Sequence, residues 1–428
     1  MSSASQSCVG VPTQWFNANS IIPNLQPPIN PKTGKPAVAS DLLAIFPEPL
    51  IEQEVSVDAY IDIPEEIRSI LAQWRPTPLV RAKRLEEAVG AKAKIYFKNE
   101  SVSPAGSHKS NSAIAQAYFN KLVGIERLTT ETGGGQWGSA LAYAGQAFGL
   151  EVLVFMVVSS FRQKPGRVTV MRCYGADVQA SPSNLTQSGR DILAKMPDSN
   201  GSLGMAISEA VEVALRDDKA KYTLGSVLNH VLLHQTVIGI EAREQLAAAG
   251  EGVPDIIIGC CGGGSNFAGI AFPFLRDKLD NPGRMRLIGV EPESCPTLTR
   301  GEYAYDYGDM SGLTPKLKMY TLGADFVPPA HHAGGLRYHG MAPQVSALMD
   351  QGLMEAETVG QKKVLEIGLL FAKCQGIIPA PESCHAISSA IRHAQMPENA
   401  GKTILFNLSG HGMLDLFAYD RYLAGDVE

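Results

Sequence analysis

Four short stretches of this 428-residue chain place reactive or anion-binding groups where a loop gives way to the next element. The first is Ser103-Pro104-Ala105-Gly106-Ser107-His108-Lys109-Ser110-Asn111. A glycine and serine turn followed by a helix start puts Lys109 in the first helical turn. The positive helix end lowers the pKa of an amine held there and favours the neutral nucleophile that imine formation requires. An ordinary exposed lysine is the alternative. The second is Gly259-Cys260-Cys261-Gly262-Gly263-Gly264-Ser265-Asn266, after the apolar run Asp255 to Ile258. Gly262, Gly263 and Gly264 have no Cβ, so several N–H groups can converge on one anion. No Lys-Ser or Lys-Thr pair follows, and Phe267 takes the third glycine position of G-x-G-x-x-G. The loop therefore suits a single phosphate monoester better than a pyrophosphate. A plain helix-entry turn fits it equally well.

The third stretch, Glu131-Thr132-Gly133-Gly134-Gly135-Gln136-Trp137-Gly138, offers glycines, a hydroxyl and an amide suited to holding a carboxylate. Glu131 at its edge is a candidate general base, against the alternative of a structural turn with a surface glutamate. The fourth, Asn407-Leu408-Ser409-Gly410-His411-Gly412, presents Ser409 either as a helix cap or as a neutral hydroxyl facing a ligand. Taken together, the four supply a lysine for an imine, a phosphate cup, a carboxylate cup and a neutral hydroxyl. Those are the requirements of pyridoxal phosphate holding an amino acid.

The elements between these stretches must position them. Lys94 to Lys98, Arg127 to Thr130, Val152 to Val158, Asp255 to Ile258, Arg286 to Val290 and Thr403 to Leu408 read as strands. Asn111 to Leu122 and Ser139 to Phe148 read as helices. Strands alternating with helices of this length indicate βαβ units and parallel sheets, with ligands at the carboxyl ends of strands. The expected fold is α/β: two three-layer lobes with parallel-rich twisted sheets and a cofactor cleft between them. Residues 1–70 form an N-terminal extension that wraps the body. Residues 109–230 form an N-terminal lobe with a mobile subdomain, and 71–108 with 231–428 form a C-terminal lobe carrying the phosphate loop. The first fifty residues hold 8 of the 27 prolines, so they should lie extended rather than in long helices. Trp15, Phe16, Ile21, Ile22, Leu42, Leu43, Ile45 and Phe46 make this segment a wrapped arm rather than a disordered tail.

Composition removes several classes of function. Lys and Arg total 37 against 43 Asp and Glu, a net charge of −6, which speaks against nucleic acid as a partner. The 7 cysteines are odd in number and lack C-x-x-C spacing, so a disulfide scaffold and a structural zinc site are not expected. No apolar run nears the ~18 residues of a membrane span. These features lead to the expectation of a cytoplasmic protein without membrane or nucleic-acid partners.

With these motifs in order, the chain resembles the fold-type II pyridoxal-phosphate enzymes, and most closely the tryptophan synthase β chains of the second, divergent, N-terminally extended class. Besides the four stretches, Arg75-Pro76-Thr77-Pro78-Leu79 and Pro379-Ala380-Pro381-Glu382-Ser383 appear in family order. The resemblance runs from about Pro12 to the C-terminus. It implies β-replacement joining indole to L-serine or O-phospho-L-serine, by way of an aminoacrylate, to give L-tryptophan. It also implies Lys109 as the Schiff-base lysine, His108 and the loop Gly262, Gly263, Gly264, Ser265 and Asn266 at the phosphate, and Ser409 at the pyridine nitrogen. Glu382 falls near the cofactor. Thr132, Gly133, Gly135, Gln136 and Trp137 fall at the substrate carboxylate, and Asp325 at the substrate hydroxyl. Glu131 becomes the acid and base that helps the leaving group and then takes the proton from indole. A homodimer follows as well, with a weakly bound or absent α subunit, no metal-ligating residue, and a monovalent cation, K⁺ or Na⁺, as an optional addition.

Three positions depart from the usual family pattern. Gly134 stands where Ala is usual and is expected to loosen its loop, Trp137 replaces a His, and Gln375 stands where Glu is usual. The segment His331 to Gly340 is particular to the divergent class. Its Arg337, with His331, His332 and His339, is either a cleft-side group able to grip an anionic leaving group, which would favour O-phosphoserine, or part of a structural loop. Met310 to Leu317 reads as surface packing. The competing functions are serine or threonine deamination, β-replacement with another nucleophile, and a non-catalytic pyridoxal-binding homologue. Intact Lys109 and Glu131 argue against the last, and a carboxylate base suits attack by an indole carbon rather than by sulfur.

Overall fold

The computed structural model describes residues 9–329 and 331–427; Cys8 lies outside them. Ile256–Cys260 and Thr403–Leu408 are buried at every position, because strands covered on both faces need no polar side. They form the middle of a six-stranded sheet. Its order is Glu355–Val359, Arg286–Pro292, Ile256–Cys260, Thr403–Leu408, Lys94–Asn99, Leu79–Arg81. Neighbours are parallel except the edge strand Leu79–Arg81, which runs antiparallel to Lys94–Asn99. The second sheet is parallel throughout, in the order Asp177–Ser181, Glu151–Val157, Arg127–Thr132, Ala220–Thr223.

Side chains on alternate positions of each strand enter different cores, which makes both lobes three-layered. In the six-stranded sheet Ile257 and Leu405 pack with Phe267 and Phe272, whereas Ile258 and Phe406 pack with Phe371 and Ile387. In the four-stranded sheet Val154 and Met156 face Leu141, and Phe155 and Val157 face Val211. The two α/β lobes with parallel-rich sheets are thus as the sequence leads one to expect. Ala220–Thr223 and Glu355–Val359 were not apparent, being short or half polar.

The N-terminal segment packs onto this body through Trp15, Phe16, Ile22, Leu42, Ile45 and Phe46, all buried, while Leu43 is exposed. Its prolines do not exclude helix: Glu48–Val55 forms one with proline in its first turn, where a missing N–H costs nothing. Gln14–Phe16 pairs antiparallel with Tyr60–Asp62.

Beneath the start of the helix Ser110–Leu122 lies a buried group of four charges. Arg75 donates to Glu241 at 2.8 Å and to Glu100 at 2.9 Å, and Lys98 donates to Glu241 at 2.7 Å. Asn111 joins it through Arg75 and Glu100. All four charged side chains are essentially without solvent contact. Two cations against two anions leave no net charge, which is the condition under which such a cluster is tolerated. Glu241→Ala leaves the buried Lys98 without a carboxylate and Arg75 with Glu100 alone, and should cost about 3–5 kcal/mol. Breaking the exposed Arg127–Glu151 pair should cost about 0–1 kcal/mol. Urea unfolding of the two variants checks the contrast.

Candidate active site

The carboxyl ends of strands from both sheets open into one cavity. Glu131 and Thr132 end Arg127–Thr132, Cys260 ends Ile256–Cys260, and Ser409 follows Thr403–Leu408. Lys109 stands immediately before the helix Ser110–Leu122. Lys109, His108, Glu131, Thr132, Gly133, Gln136, Trp137, Gly262, Gly263, Gly264, Ser265, Asn266, Glu382 and Ser409 all line it. Two glycines in the left-handed region set the entries to the next helices: Gly135 at φ +95° before Gln136–Phe148, and Gly264 at φ +100° before Ser265–Ala271. Gln136 and Trp137 therefore lie in the first helical turn, three residues earlier than the sequence indicates.

The Lys109 amine donates to Ser265 Oγ at 2.8 Å and to the carbonyl of Gly225. Burial pulls its pKa down to about 8, against the opposing field of Glu131. Burial likewise pushes the Glu131 carboxyl up to about 8, while the Tyr222 hydroxyl, 2.6 Å from Oε2, and Lys109 act in the other direction. One cavity thus holds an amine and a carboxyl that both change charge near neutral pH. His108 contacts Ser265 Oγ and the Ser409 carbonyl, each at 3.3 Å. Burial, helped by Lys109, drives its pKa to about 3, so its ring is neutral.

Ser409 does not cap a helix. Its hydroxyl meets Ser383 Oγ at 2.7 Å and Cys260 Sγ at 3.6 Å, and Ser383 Oγ accepts from the Gly410 N–H at 3.1 Å. Glu382 accepts from the Gly335 N–H at 2.8 Å through Oε1, while its buried Oε2 has no partner among the described residues. The Trp137 indole N–H is used inward, on Thr130 Oγ1 at 2.6 Å. The Thr132 hydroxyl accepts from the Gly138 N–H at 3.1 Å.

Three anticipated residues lie off the cavity. Gly135 packs against the aliphatic part of Arg167. Asp325 is exposed and does not reach the cavity lining, because its turn projects from the surface after Lys316–Thr321. Arg337 also misses the lining; its guanidinium lies behind Gly334, donating to Ser159 Oγ at 3.0 Å and to Ser160. It is a tether between loop and lobe, because both serines lie where the guanidinium must desolvate. His331 and His332 border a separate cavity, His339 binds the Tyr307 carbonyl at 2.8 Å, and no metal-binding cluster forms among the described residues.

Other contributors carry little sequence signal. Gly334 and Gly335 lie directly over the carboxylate and phosphate loops: a Cβ on Gly134 would stand 2.9 Å from Gly335 N. Gly134 therefore permits close approach rather than loosening its loop. Thr314, Pro315 and Leu317 line the cavity instead of packing on the surface, since the buried Asp309 accepts the N–H groups of Leu313 and Thr314 and ties that segment down. Leu42, Ile45 and Phe46 of the arm join Leu203, Ile207 and Leu224 at an apolar end. Alternating apolar and polar types around Tyr222 would have been the only hint of its place.

Comparisons with known proteins agree with this geometry. Residues 70–410 match the family model described as pyridoxal-phosphate dependent enzyme. The chain is similar to tryptophan synthase beta chain 2 of Aquifex aeolicus, 56% identical over 423 residues and covering 97% of each chain. It is 57% identical over 413 residues to that of Thermotoga maritima, covering 96% of this chain and 97% of the relative. Among solved structures, a fungal L-serine ammonia-lyase from Rhizomucor miehei superposes with a TM-score of 0.59 at 16% identity, over 81% of this chain and 97% of its own, which shows a shared fold. The chain belongs to the tryptophan synthase β chain family of pyridoxal-phosphate dependent enzymes.

Proposed function

We infer that this enzyme joins indole to L-serine, releasing water, to form L-tryptophan. The observation that carries the reading is a buried, proton-holding carboxyl, Glu131, placed between the Lys109 amine and an apolar chamber. Such a chamber suits indole. Deamination needs no second substrate and hence no such space.

The residues fit pyridoxal phosphate. Gly262 and Gly263 form a cradle that side chains would fill: a Cβ on Gly263 would lie 2.6 Å from Ser226 Oγ, and one on Gly262 would overlap the Gly335 carbonyl oxygen. The free amine of Lys109 faces the same space. When bound, the cofactor supplies an electron sink that lets the substrate lose its Cα proton and its β-substituent. In this proposal Lys109 anchors the cofactor and moves the Cα proton, and the Gly262 to Asn266 loop with neutral His108 holds the phosphate. The N–H groups of the Thr132, Gly133 and Gln136 turn bind the substrate carboxylate at a helix N-terminus. Ser409, a neutral hydroxyl on the cavity wall, would meet the ring nitrogen and favour its unprotonated form. Glu131 gives its proton to the departing hydroxyl and takes one from the indole ring.

Serine is the donor in this reading. Lys109 is the only lysine or arginine among the lining residues, so a phosphate leaving group would find no second cation, and Arg337 is engaged elsewhere. We further propose a homodimer that works without a stably bound α subunit; exposed Leu416, Phe417 and Leu423 near the C-terminus support such an interface. The division into 1–70, 109–230, and 71–108 with 231–428 is supported by the sheets, whose strands do not cross those limits. A cytoplasmic location is part of the same reading; among the described residues no helix is long and apolar enough to cross a membrane.

Three outcomes test this function. Uptake of pyridoxal phosphate by apoenzyme should accelerate as pH rises and level off above about 8, where the Lys109 amine is neutral; an exposed lysine would still be accelerating at pH 10. Stopped-flow absorbance measures it. Glu131→Ala should retain the cofactor and lose roughly 10²–10⁴-fold in tryptophan formation, the scale of general acid and base catalysis. Arg337→Ala should lower kcat/KM for L-serine and O-phospho-L-serine by the same factor; selective damage to the phosphoserine reaction would return Arg337 to the cleft.

A further inference from the structure

Glu131 shares its position with one phenol. Tyr222 belongs to Ala220–Thr223, which pairs in parallel with Arg127–Thr132 so that Tyr222 lies opposite Thr129. Glu131, two residues further along, projects from the same face, and Oε2 receives the Tyr222 hydroxyl at 2.6 Å. Tyr222 is only 2% exposed.

The other side of Tyr222 is held by the N-terminal arm. Ala220–Thr223 is the edge of its sheet, and residues 43–46 run along that edge. The Tyr222 N–H donates to the Ile45 carbonyl at 3.0 Å, and Lys221 Nζ donates to the Leu43 carbonyl at 2.7 Å. The Phe46 ring packs on the Tyr222 ring with centroids 5.8 Å apart. A covered edge is protected from other strands; here the cover also fixes the phenol that touches the carboxyl.

A carboxyl that must release a proton and recover one needs a defined oxygen for the task. The Tyr222 hydroxyl occupies Oε2 as a donor, which leaves Oε1 to carry the proton into the cavity. The bond also stabilises the carboxylate over the acid. It therefore makes Glu131 a better proton donor than burial alone would allow. The other titratable groups around this pair are Lys109, Tyr338, Asp309 beyond the two phenols, and the Glu54–His230 pair that Phe46 abuts.

We propose that Tyr222, held by Ile45 and Phe46 of the N-terminal arm, is the positioning residue that fixes which oxygen of Glu131 handles the proton and how readily it is given up. This rests on Glu131 being the acid and base. Holoenzyme of the wild type, Tyr222→Phe, Phe46→Ala and Glu131→Gln is mixed with L-serine across pH 6–10, and the serine-dependent absorbance change is followed by stopped flow. Tyr222→Phe keeps the ring contacts. It should slow the reaction on the order of tenfold. Its alkaline limb should move up by about one pH unit, because the carboxyl loses the donor that favours its ionised form. Phe46→Ala should shift the limb in the same direction by less. A uniform slowing of Tyr222→Phe at every pH, or no change, overturns the positioning role while Glu131→Gln remains slow. A Glu131→Gln enzyme as fast as wild type overturns the reading of Glu131 itself.

Discussion

A Cβ on Gly133 would stand 2.7 Å from the carbonyl oxygen of Gly334, and one on Gly134 would stand 2.9 Å from the amide nitrogen of Gly335. One on Gly262 would overlap the Gly335 carbonyl oxygen. Three backbone segments, one from each lobe's strand ends and one from the long loop after Lys316–Thr321, thus meet with no side chains between them. The cavity exists in its present form because of that approach. Burial within that cavity brings both Lys109 and Glu131 to about pKa 8. The segment that closes the roof is fastened at its ends by side chains turned away from the cavity: Arg337 on Ser159, and the Gln361 amide oxygen on the His332 N–H at 2.9 Å.

Two treatments of buried charge stand side by side. Below the helix that follows Lys109, four ionised groups cancel one another and gain full hydrogen bonding, so they hold strands and helices in register without reactivity. Above it, Lys109 has a hydroxyl and a carbonyl as its partners, and no ion pair among the described residues. The first arrangement sets each charge against an opposite one; the second faces the amine with neutral groups. Asn111, two residues from Lys109, belongs to the lower cluster and links the two environments.

What could be seen in the sequence was local. Lys109, the glycines at 262–264 and the turn from Thr132 to Gln136 sit at ends of strongly apolar strands, and their types carry chemistry without reference to distant partners. Tyr222 could not be seen, because its four-residue strand has weak patterning and its meaning comes from a neighbouring strand and from the arm. Arg337 stayed open between two readings for a related reason. A cation among histidines resembles an anion grip until the fold delivers two serine hydroxyls to it. Gly134 looked like a source of slack because Gly335, the atom group it makes room for, lies far along the chain. Asp325 sat in a plausible motif, but its turn points outward.

The strand Thr403–Leu408 occupies the interior of its sheet, between Ile256–Cys260 and Lys94–Asn99. Arg127–Thr132 to Ala220–Thr223, in contrast, are contiguous in the chain, and this lobe takes from beyond Leu408 the carboxylate of Asp415, which pairs with its buried Lys164 and Arg167. During synthesis domains fold as their segments emerge, the earlier ones first. The four-stranded sheet can pair while synthesis continues, whereas the six-stranded sheet stays split until Thr403–Leu408 emerges. Ser409 follows that strand, so the cleft gains this wall only after every other strand of the sheet has been made.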